Sequence, residues 1–248
     1  MFRGFGTVLN VATVLLGSSI GVLVGHRLRE RSRDVVTDAL GLVTLLVAAT
    51  SAAAVLDPEL AALVGSSATV LVVLGGLLIG GIVGSLIGLE ERLESLGGVL
   101  QRRLGRTSIG EDRRRFIEGY VSASLLFCVG PLTILGSLSD GLGRGADQLT
   151  LKAVLDGFAS LAFAASLGWG VAASAISVAV IQGLLTLAGF LLGSVLPDGH
   201  IAAITATGGL LLVGVALRLL RIKQVPVADL LPALVVAPVL AQVVSVLR

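Results

Sequence analysis

Long apolar runs separated by short polar segments dominate the pattern of this chain. A membrane-spanning helix needs about 20 mostly apolar residues, and a charge in such a run is costly. The low-charge runs that reach or approach this length cover residues 4–25, 39–56, 60–89, 116–139, 153–196, 200–220 and 228–247. The pattern therefore predicts a chain built from membrane-spanning helices.

The run 153–196 is too long for one span. At 1.5 Å of rise per residue it would reach about 66 Å, roughly twice the thickness of a bilayer core. Glycine permits a sharp turn and tryptophan favours the membrane interface, so we predict a corner at Gly168-Trp169-Gly170. Helices over 149–167 and 171–196 would flank it. The fold class predicted is all-α: a polytopic transmembrane helical bundle of about eight spans, within a single transmembrane domain over 1–248.

Composition excludes other classes of protein. Hydrophobic residues make up 55% and charged residues 14%, against about 25% charged in soluble domains. A disordered chain would be charge-rich and poor in apolar residues. One cysteine and two histidines leave little for a metal centre, and His200 falls in a predicted external loop. We expect no metal and no cofactor.

The basic residues predict the orientation of the chain. With eight spans, three loops on one side hold 14 of the 18 basic residues, namely Arg27, Arg29, Arg31, Arg33, Arg92, Arg102, Arg103, Arg106, Arg113, Arg114, Arg115, Arg218, Arg221 and Lys223. Cytoplasmic loops carry an excess of Lys and Arg. This side is therefore predicted to be cytoplasmic, and both termini to lie outside.

The segment 90–115 is the only long polar stretch. Its leucines recur every three or four residues among charges, which is typical of an amphipathic helix on a membrane surface. We predict a cytoplasmic amphipathic linker between spans 3 and 4. It would serve as an interfacial anchor or as a docking site for a soluble partner.

Weak self-similarity relates the first and sixth predicted helices. Aligning Gly17 with Gly189 places Asn10 on Gln182, and the next helices also match. The two are five positions apart in the order of helices, an odd number, so they would cross the membrane in opposite directions. Many transporters carry such inverted repeats. We therefore predict an inverted repeat that relates helices 1–3 to helices 6–8.

Polar side chains within spans are the candidate functional groups, because such groups are expensive in a bilayer. Asp156 lies inside helix 5 with Lys152 four residues earlier, which suits either a structural ion pair or a substrate or ion site. Asn10 and Gln182 could bond neighbouring helices or contact a substrate.

The fourth span contains Ser124, Phe127, Gly130 and Pro131. A proline removes one amide donor and displaces the carbonyl four residues earlier, here that of Phe127. The pattern predicts a kinked or broken helix, and broken helices in transporters expose backbone oxygens to ions and solutes. The candidate binding residues are Asn10, Ser124, Phe127, Gly130, Pro131, Asp156 and Gln182.

These motifs resemble a known family. The similarity rests on Gly6-Thr7-Val8-Leu9-Asn10, Ala39-Leu40-Gly41-Leu42, Ser124-Leu125-Leu126-Phe127-Cys128-Val129-Gly130, Ile134-Leu135-Gly136-Ser137, Lys152-Ala153-Val154-Leu155-Asp156-Gly157, Gly208-Gly209-Leu210 and Leu231-Pro232-Ala233-Leu234. The chain resembles the bacterial family of integral membrane proteins of unknown function typified by YqgA and YdfK. The resemblance implies a multi-pass protein of the bacterial plasma (inner) membrane with a suspected transport role.

No hydrolase, metalloprotease or nucleotide-binding motif is present, so we do not expect an enzyme. The sequence favours a secondary transporter or channel-like permease that moves a small polar solute or ion. One alternative is a non-transporting membrane scaffold or regulator that engages a cytoplasmic partner through 90–115, and another is a lipid-handling protein. We expect contact with membrane lipid and no nucleic-acid partner. Abundant glycine on helices 1, 3 and 6 suggests a homodimer.

Overall fold

The structure is a computed structural model that describes residues 2–25, 29–103, 111–128, 131–143, 145–192 and 197–247. Over these residues the chain forms helices and turns and contains no strand. The helices are α1 (Phe5–Gly25), α2 (Glu30–Ala52), α3 (Pro58–Val64), α4 (Thr69–Ile87), α5 (Leu89–Arg103), α6 (Glu111–Cys128), α7 (Pro131–Gly141), α8 (Asp147–Leu167), α9 (Gly170–Leu192), α10 (Asp198–Leu219) and α11 (Ala233–Leu247). Short 3₁₀ turns cover Ala53–Leu56 and Ala228–Leu230.

The predicted fold class is confirmed. In the described part of the chain, seven helical segments are long and apolar enough to cross a membrane. The predicted corner is also present, since α8 ends at Leu167 and α9 begins at Gly170. Gly168 has a backbone φ of +77°, which residues other than glycine rarely adopt.

The chain divides into two compact units. Unit 1 contains residues 1–40 and 93–195, and unit 2 contains residues 41–92 and 196–248. Helix α2 contributes its first part to unit 1 and its second part to unit 2.

In unit 1, contacts fix the directions of three helices. Gly6 faces Leu149 and Gly25 faces Ala165, so α1 and α8 run parallel. Arg3 lies over the ring of Phe190 at 4.9 Å, and the hydroxyls of Thr7 and Thr186 lie 3.2 Å apart. Residue numbers therefore rise along α1 as they fall along α9, and these two helices are antiparallel. Opposite directions are required by the predicted inverted repeat, but the repeat itself stays a prediction.

Helices α6 and α7 are separated by a sharp bend. Their axes meet at 74° across residues 129–130, which lie outside the described residues. The first end lies at the corner of α8 and α9, where Phe116 contacts Gly170. The other end lies at the start of α1, where Asp140 accepts a 3.0 Å hydrogen bond from the amide of Gly6. The pair thus extends from one end of unit 1 to the other, and counting it as one span would give the predicted total of eight.

Glycines let α1 and α8 approach closely. A Cβ atom on Gly17 would lie 2.2 Å from the carbonyl oxygen of Gly157, and one on Gly21 would lie 2.2 Å from that of Leu161. Small residues at helix contacts allow this backbone approach in membranes. The glycine stripe of the first span therefore packs within its own chain.

Unit 2 is built on a similar contact between α4 and α11. Cβ atoms on Gly80 and Gly84 would lie 2.3 Å from the amide nitrogen of Ala233 and 1.9 Å from the carbonyl oxygen of Asp229. The glycines of spans 1 and 3 thus pack against other segments of the same chain. Their abundance therefore does not support the predicted homodimer, which stays a prediction.

The low-charge run 60–89 contains one candidate span, Thr69–Ile87, but is not a single helix. The chain forms α3 and then α4, separated at Gly65, whose φ is +88°. Asp57 caps α3 by accepting a 2.8 Å hydrogen bond from the amide of Glu59, and Pro58 occupies its first turn. These start and stop signals lie within an apolar run, where hydropathy alone does not register them.

Replacing Gly17 by alanine should destabilise unit 1 by about 1–3 kcal/mol, because the added methyl group would meet backbone that cannot move aside. The matched control is Gly183→Ala in α9, where an added Cβ would have no heavy atom within 4 Å. Thermal unfolding in detergent should show a lower midpoint for Gly17→Ala only. Equal midpoints for both variants would contradict the close contact between α1 and α8.

Candidate functional site

A charged pair lies within unit 1. The ammonium of Lys152 lies 2.5 Å from Oδ2 of Asp156, and the same oxygen accepts a 2.9 Å hydrogen bond from Nδ2 of Asn10. The side chains of Lys152 and Asp156 are only 8% and 10% exposed, and Asn10 is fully buried. The structure therefore contains the ion pair between Lys152 and Asp156 that the sequence suggested as one alternative. The side-chain amide of Asn10, on α1, is a further partner of the carboxylate. The ammonium of Lys152 already compensates the carboxylate charge, and Asn10 adds a neutral hydrogen bond.

Gln182 of α9 has an unusual environment. Its side chain is fully buried, yet neither its Oε1 nor its Nε2 has a hydrogen-bond partner among the described residues. Oδ1 of Asn10 is likewise without a partner. A buried polar group left unpaired costs about 1–3 kcal/mol. Such groups are the exceptions that require an explanation in a folded protein.

The register between α1 and α9 brings these two amides to the same level. Thr7 contacts Thr186, and the helices are antiparallel. Three residues further along α1 lies Asn10, and four residues earlier along α9 lies Gln182. Side chains three or four residues apart share a helix face. The structure thus joins Asn10 and Asp156 with Lys152 in one buried polar cluster, and the helix register places Gln182 at the level of Asn10 on the neighbouring helix α9.

The break between α6 and α7 occurs where Gly130 and Pro131 predict it. Pro131 is the first residue of α7, and Gly130 lies outside the described residues. The carbonyl of Phe127 is freed from the helix, as expected, and it accepts a 3.0 Å hydrogen bond from the hydroxyl of Thr133. The ring of Phe127 packs edge-on against the ring of Phe163 on α8, with the ring centroids 6.5 Å apart. The break therefore lies next to α8, the helix that carries the charged pair.

Ser124 is used differently from the other candidates. Its hydroxyl donates a 3.0 Å hydrogen bond to that of Ser177, which in turn donates to the hydroxyl of Tyr120 at 3.0 Å. This chain of hydroxyl groups joins α6 to α9. No hydrogen bond in the described structure links Ser124 to the polar cluster.

The two ends of unit 1 differ. Where α1 begins there is a cavity of about 200 Å³, lined by Phe2, Arg3, Asp140, Gly143, Gly145, Ala146 and Asp147. Thr7 and Thr186 lie between this cavity and Asn10 along α1. At the opposite end, the guanidinium of Arg115 donates to the carbonyl of Ser166 at 2.8 Å, and Thr37 bonds the Ser166 hydroxyl. These hydrogen bonds join α2, α6 and α8 at that end.

Unit 2 holds polar contacts that sequence reasoning missed. Arg218 is ion-paired with Glu90, and the second carboxylate oxygen of Glu90 accepts a 2.8 Å hydrogen bond from the amide of Ala228. The loop position predicted for His200 is wrong. This residue is buried in the first turn of α10, and its Nε2 lies 2.9 Å from Oε1 of Gln242. Apolar packing of α10 against α3 and α11 draws its first turn inward.

Comparison with known sequences relates this chain to two curated proteins and one protein family. The chain is 31% identical over 232 residues to the uncharacterized protein YqgA of Escherichia coli (strain K12), covering 94% of each chain. It is 29% identical over 240 residues to the uncharacterized membrane protein YdfK of Bacillus subtilis (strain 168), covering 97% of this chain and 96% of that one. No solved structure matches it significantly. A family model described as a protein of unknown function (DUF554) matches residues 5–242, and the chain therefore belongs to the DUF554 family of membrane proteins.

Proposed function

We propose that this protein is a secondary transporter or channel-like permease of the bacterial inner membrane, with both termini outside, and that it moves a small polar solute or ion. The buried amide of Gln182 carries the proposal. Both of its polar atoms lie inside a membrane-spanning unit without a partner, and Oδ1 of Asn10 shares that condition. A polar solute that visits the cluster would provide the missing hydrogen bonds.

The broken span supports the same function. Non-helical backbone at membrane depth is tolerated where it is buried in protein or lines a water-filled path. Transporters use such breaks to present helix ends to a substrate. Here the break lies next to α8, which carries Lys152 and Asp156, and a cavity lies at the start of α1, the helix that carries Asn10.

Flux measurements with purified protein in liposomes test this proposal. The probes are urea, acetamide, glycerol, sodium and chloride. We expect at least one probe to cross about tenfold faster than in protein-free liposomes. Asp156→Asn should remove at least nine tenths of that flux, because it leaves the Lys152 ammonium without its counter-ion.

Two variants serve as controls for that experiment. Asp112→Asn changes an exposed carboxylate at the start of α6 and should leave flux unchanged. Neutralising Glu91 and Arg92 on the exposed side of α5 should also leave flux unchanged, whereas a scaffold that acts through 90–115 would lose its partner. Failure of every probe to exceed the protein-free rate would overturn the proposal.

A further inference from the structure

We infer that the buried cluster binds a neutral solute of the amide class, with Lys152 acting as a tethered counter-ion that keeps free ions out. This inference rests on the proposed function and names the substrate class of the same site. It follows from the distribution of charge and of unused hydrogen-bonding atoms around Asn10, Lys152, Asp156 and Gln182.

The charge of the cluster is balanced before any solute binds. Lys152 and Asp156 form one ion pair, and Asn10 donates to the shared carboxylate oxygen. The nearby charged groups of unit 1 that line the outer cavity are Arg3, Asp140 and Asp147, and Asp140 is occupied by the amide of Gly6. A sodium ion would find its carboxylate taken by an ammonium, and an anion would find its ammonium taken by a carboxylate. An ion that enters a site of low dielectric constant without a partner pays a large desolvation penalty.

The unused atoms match a primary amide. Gln182 offers two N–H donors on Nε2 and an acceptor on Oε1, and Asn10 offers an acceptor on Oδ1. A solute that carries both an –NH₂ group and a carbonyl oxygen can donate to the two side-chain oxygens and accept from Nε2. Urea and acetamide have this arrangement. An alcohol donates only one hydrogen per hydroxyl group, and a bare ion cannot both donate and accept.

Permeation of liposomes that contain the full chain tests the inference. Stopped-flow swelling should show that the wild-type protein raises the permeability to urea or acetamide several-fold and leaves sodium and chloride permeability at the protein-free level. Gln182→Leu should reduce the amide permeability at least fivefold. The matched control is Gln148→Leu, which changes an exposed glutamine near the start of α8 and should have no effect.

Charge changes at the pair provide a second measurement. Lys152→Met uncovers a carboxylate and should create sodium permeability, whereas Asp156→Asn uncovers an ammonium and should create chloride permeability. The double variant carrying both changes is neutral again and should lose both ion conductances and regain part of the amide flux.

Each result decides between the alternatives. Wild-type flux of sodium or chloride without flux of either amide would overturn the inference and leave the proposed function standing. Amide flux that survives Gln182→Leu would overturn the assignment of this site. Absence of flux for every probe would end the proposed function and the inference together. Should the single-charge variants fail to fold, the wild-type and Gln182→Leu measurements still decide the question.

Discussion

Replacing Lys152 by methionine should lower the free energy of unfolding by about 3–5 kcal/mol, because it leaves the buried carboxylate of Asp156 without its cation. Removing one partner of a buried ion pair is costly, whereas replacing both with apolar residues of similar size is often neutral. Thermal or denaturant unfolding of the detergent-purified protein measures the effect. The amide of Asn10 would remain as a neutral donor and offset only part of the loss.

Asp156→Leu should cost less than Lys152→Met. Lysine has a long side chain, and Lys152 lies about one turn closer to the start of α8 than Asp156 does. When it is released from Asp156, its ammonium can extend toward the membrane interface, whereas an aspartate side chain is too short to do so. The double variant Lys152→Met with Asp156→Leu should recover most of the lost stability. Single variants as stable as the wild-type protein would contradict a buried ion pair.

The sequence predicts those parts of unit 1 that depend on neighbours along the chain. The corner at 168–170 follows from a run too long for one span and from two glycines around a tryptophan. The break near Pro131 follows from the chemistry of proline, and the freed carbonyl of Phe127 is where that chemistry places it. The pair Lys152–Asp156 follows from the spacing of four residues on a helix.

Contacts between distant segments could not be predicted in the same way. Asn10 and Asp156 are far apart in sequence, and their hydrogen bond depends on the parallel packing of α1 against α8. The glycines that allow this packing could be read from the sequence, but their partner helix could not. Abundant glycine suggested a second copy of the chain because composition does not distinguish contacts within a chain from contacts between chains.

The sequence also contains helix start and stop signals that hydropathy does not reveal. Asp57-Pro58-Glu59 is a helix-start pattern, with an acidic N-cap and proline in the first turn, and Gly65 supplies the stop. Hydropathy masked both because the surrounding residues are apolar. The burial of Arg218 has no such local signal, because a cation in a basic loop fits the orientation rule and its acidic partner, Glu90, is distant in sequence.

Arg218→Met should destabilise unit 2 by about 3 kcal/mol. The side chains of Arg218 and Glu90 are 9% and 15% exposed, so the carboxylate cannot exchange its lost partner for bulk water without local opening. The amide of Ala228 remains bonded to Glu90 and limits the loss. The matched control is Lys223→Met, which removes an exposed cation close by in sequence and should change stability by less than about 0.5 kcal/mol.

The same substitution should also loosen the start of α5. Asp229 caps that helix by accepting a 2.9 Å hydrogen bond from the amide of Glu90, while the Glu90 carboxylate bonds the turn that contains Asp229. These reciprocal bonds join α5 to the segment before α11, and Arg218 holds the carboxylate in position. Hydrogen exchange of the amides at 89–93 and 228–230 should therefore accelerate together in Arg218→Met and stay unchanged in Lys223→Met. Acceleration throughout unit 2, or at neither segment, would show that Arg218 does not hold this junction.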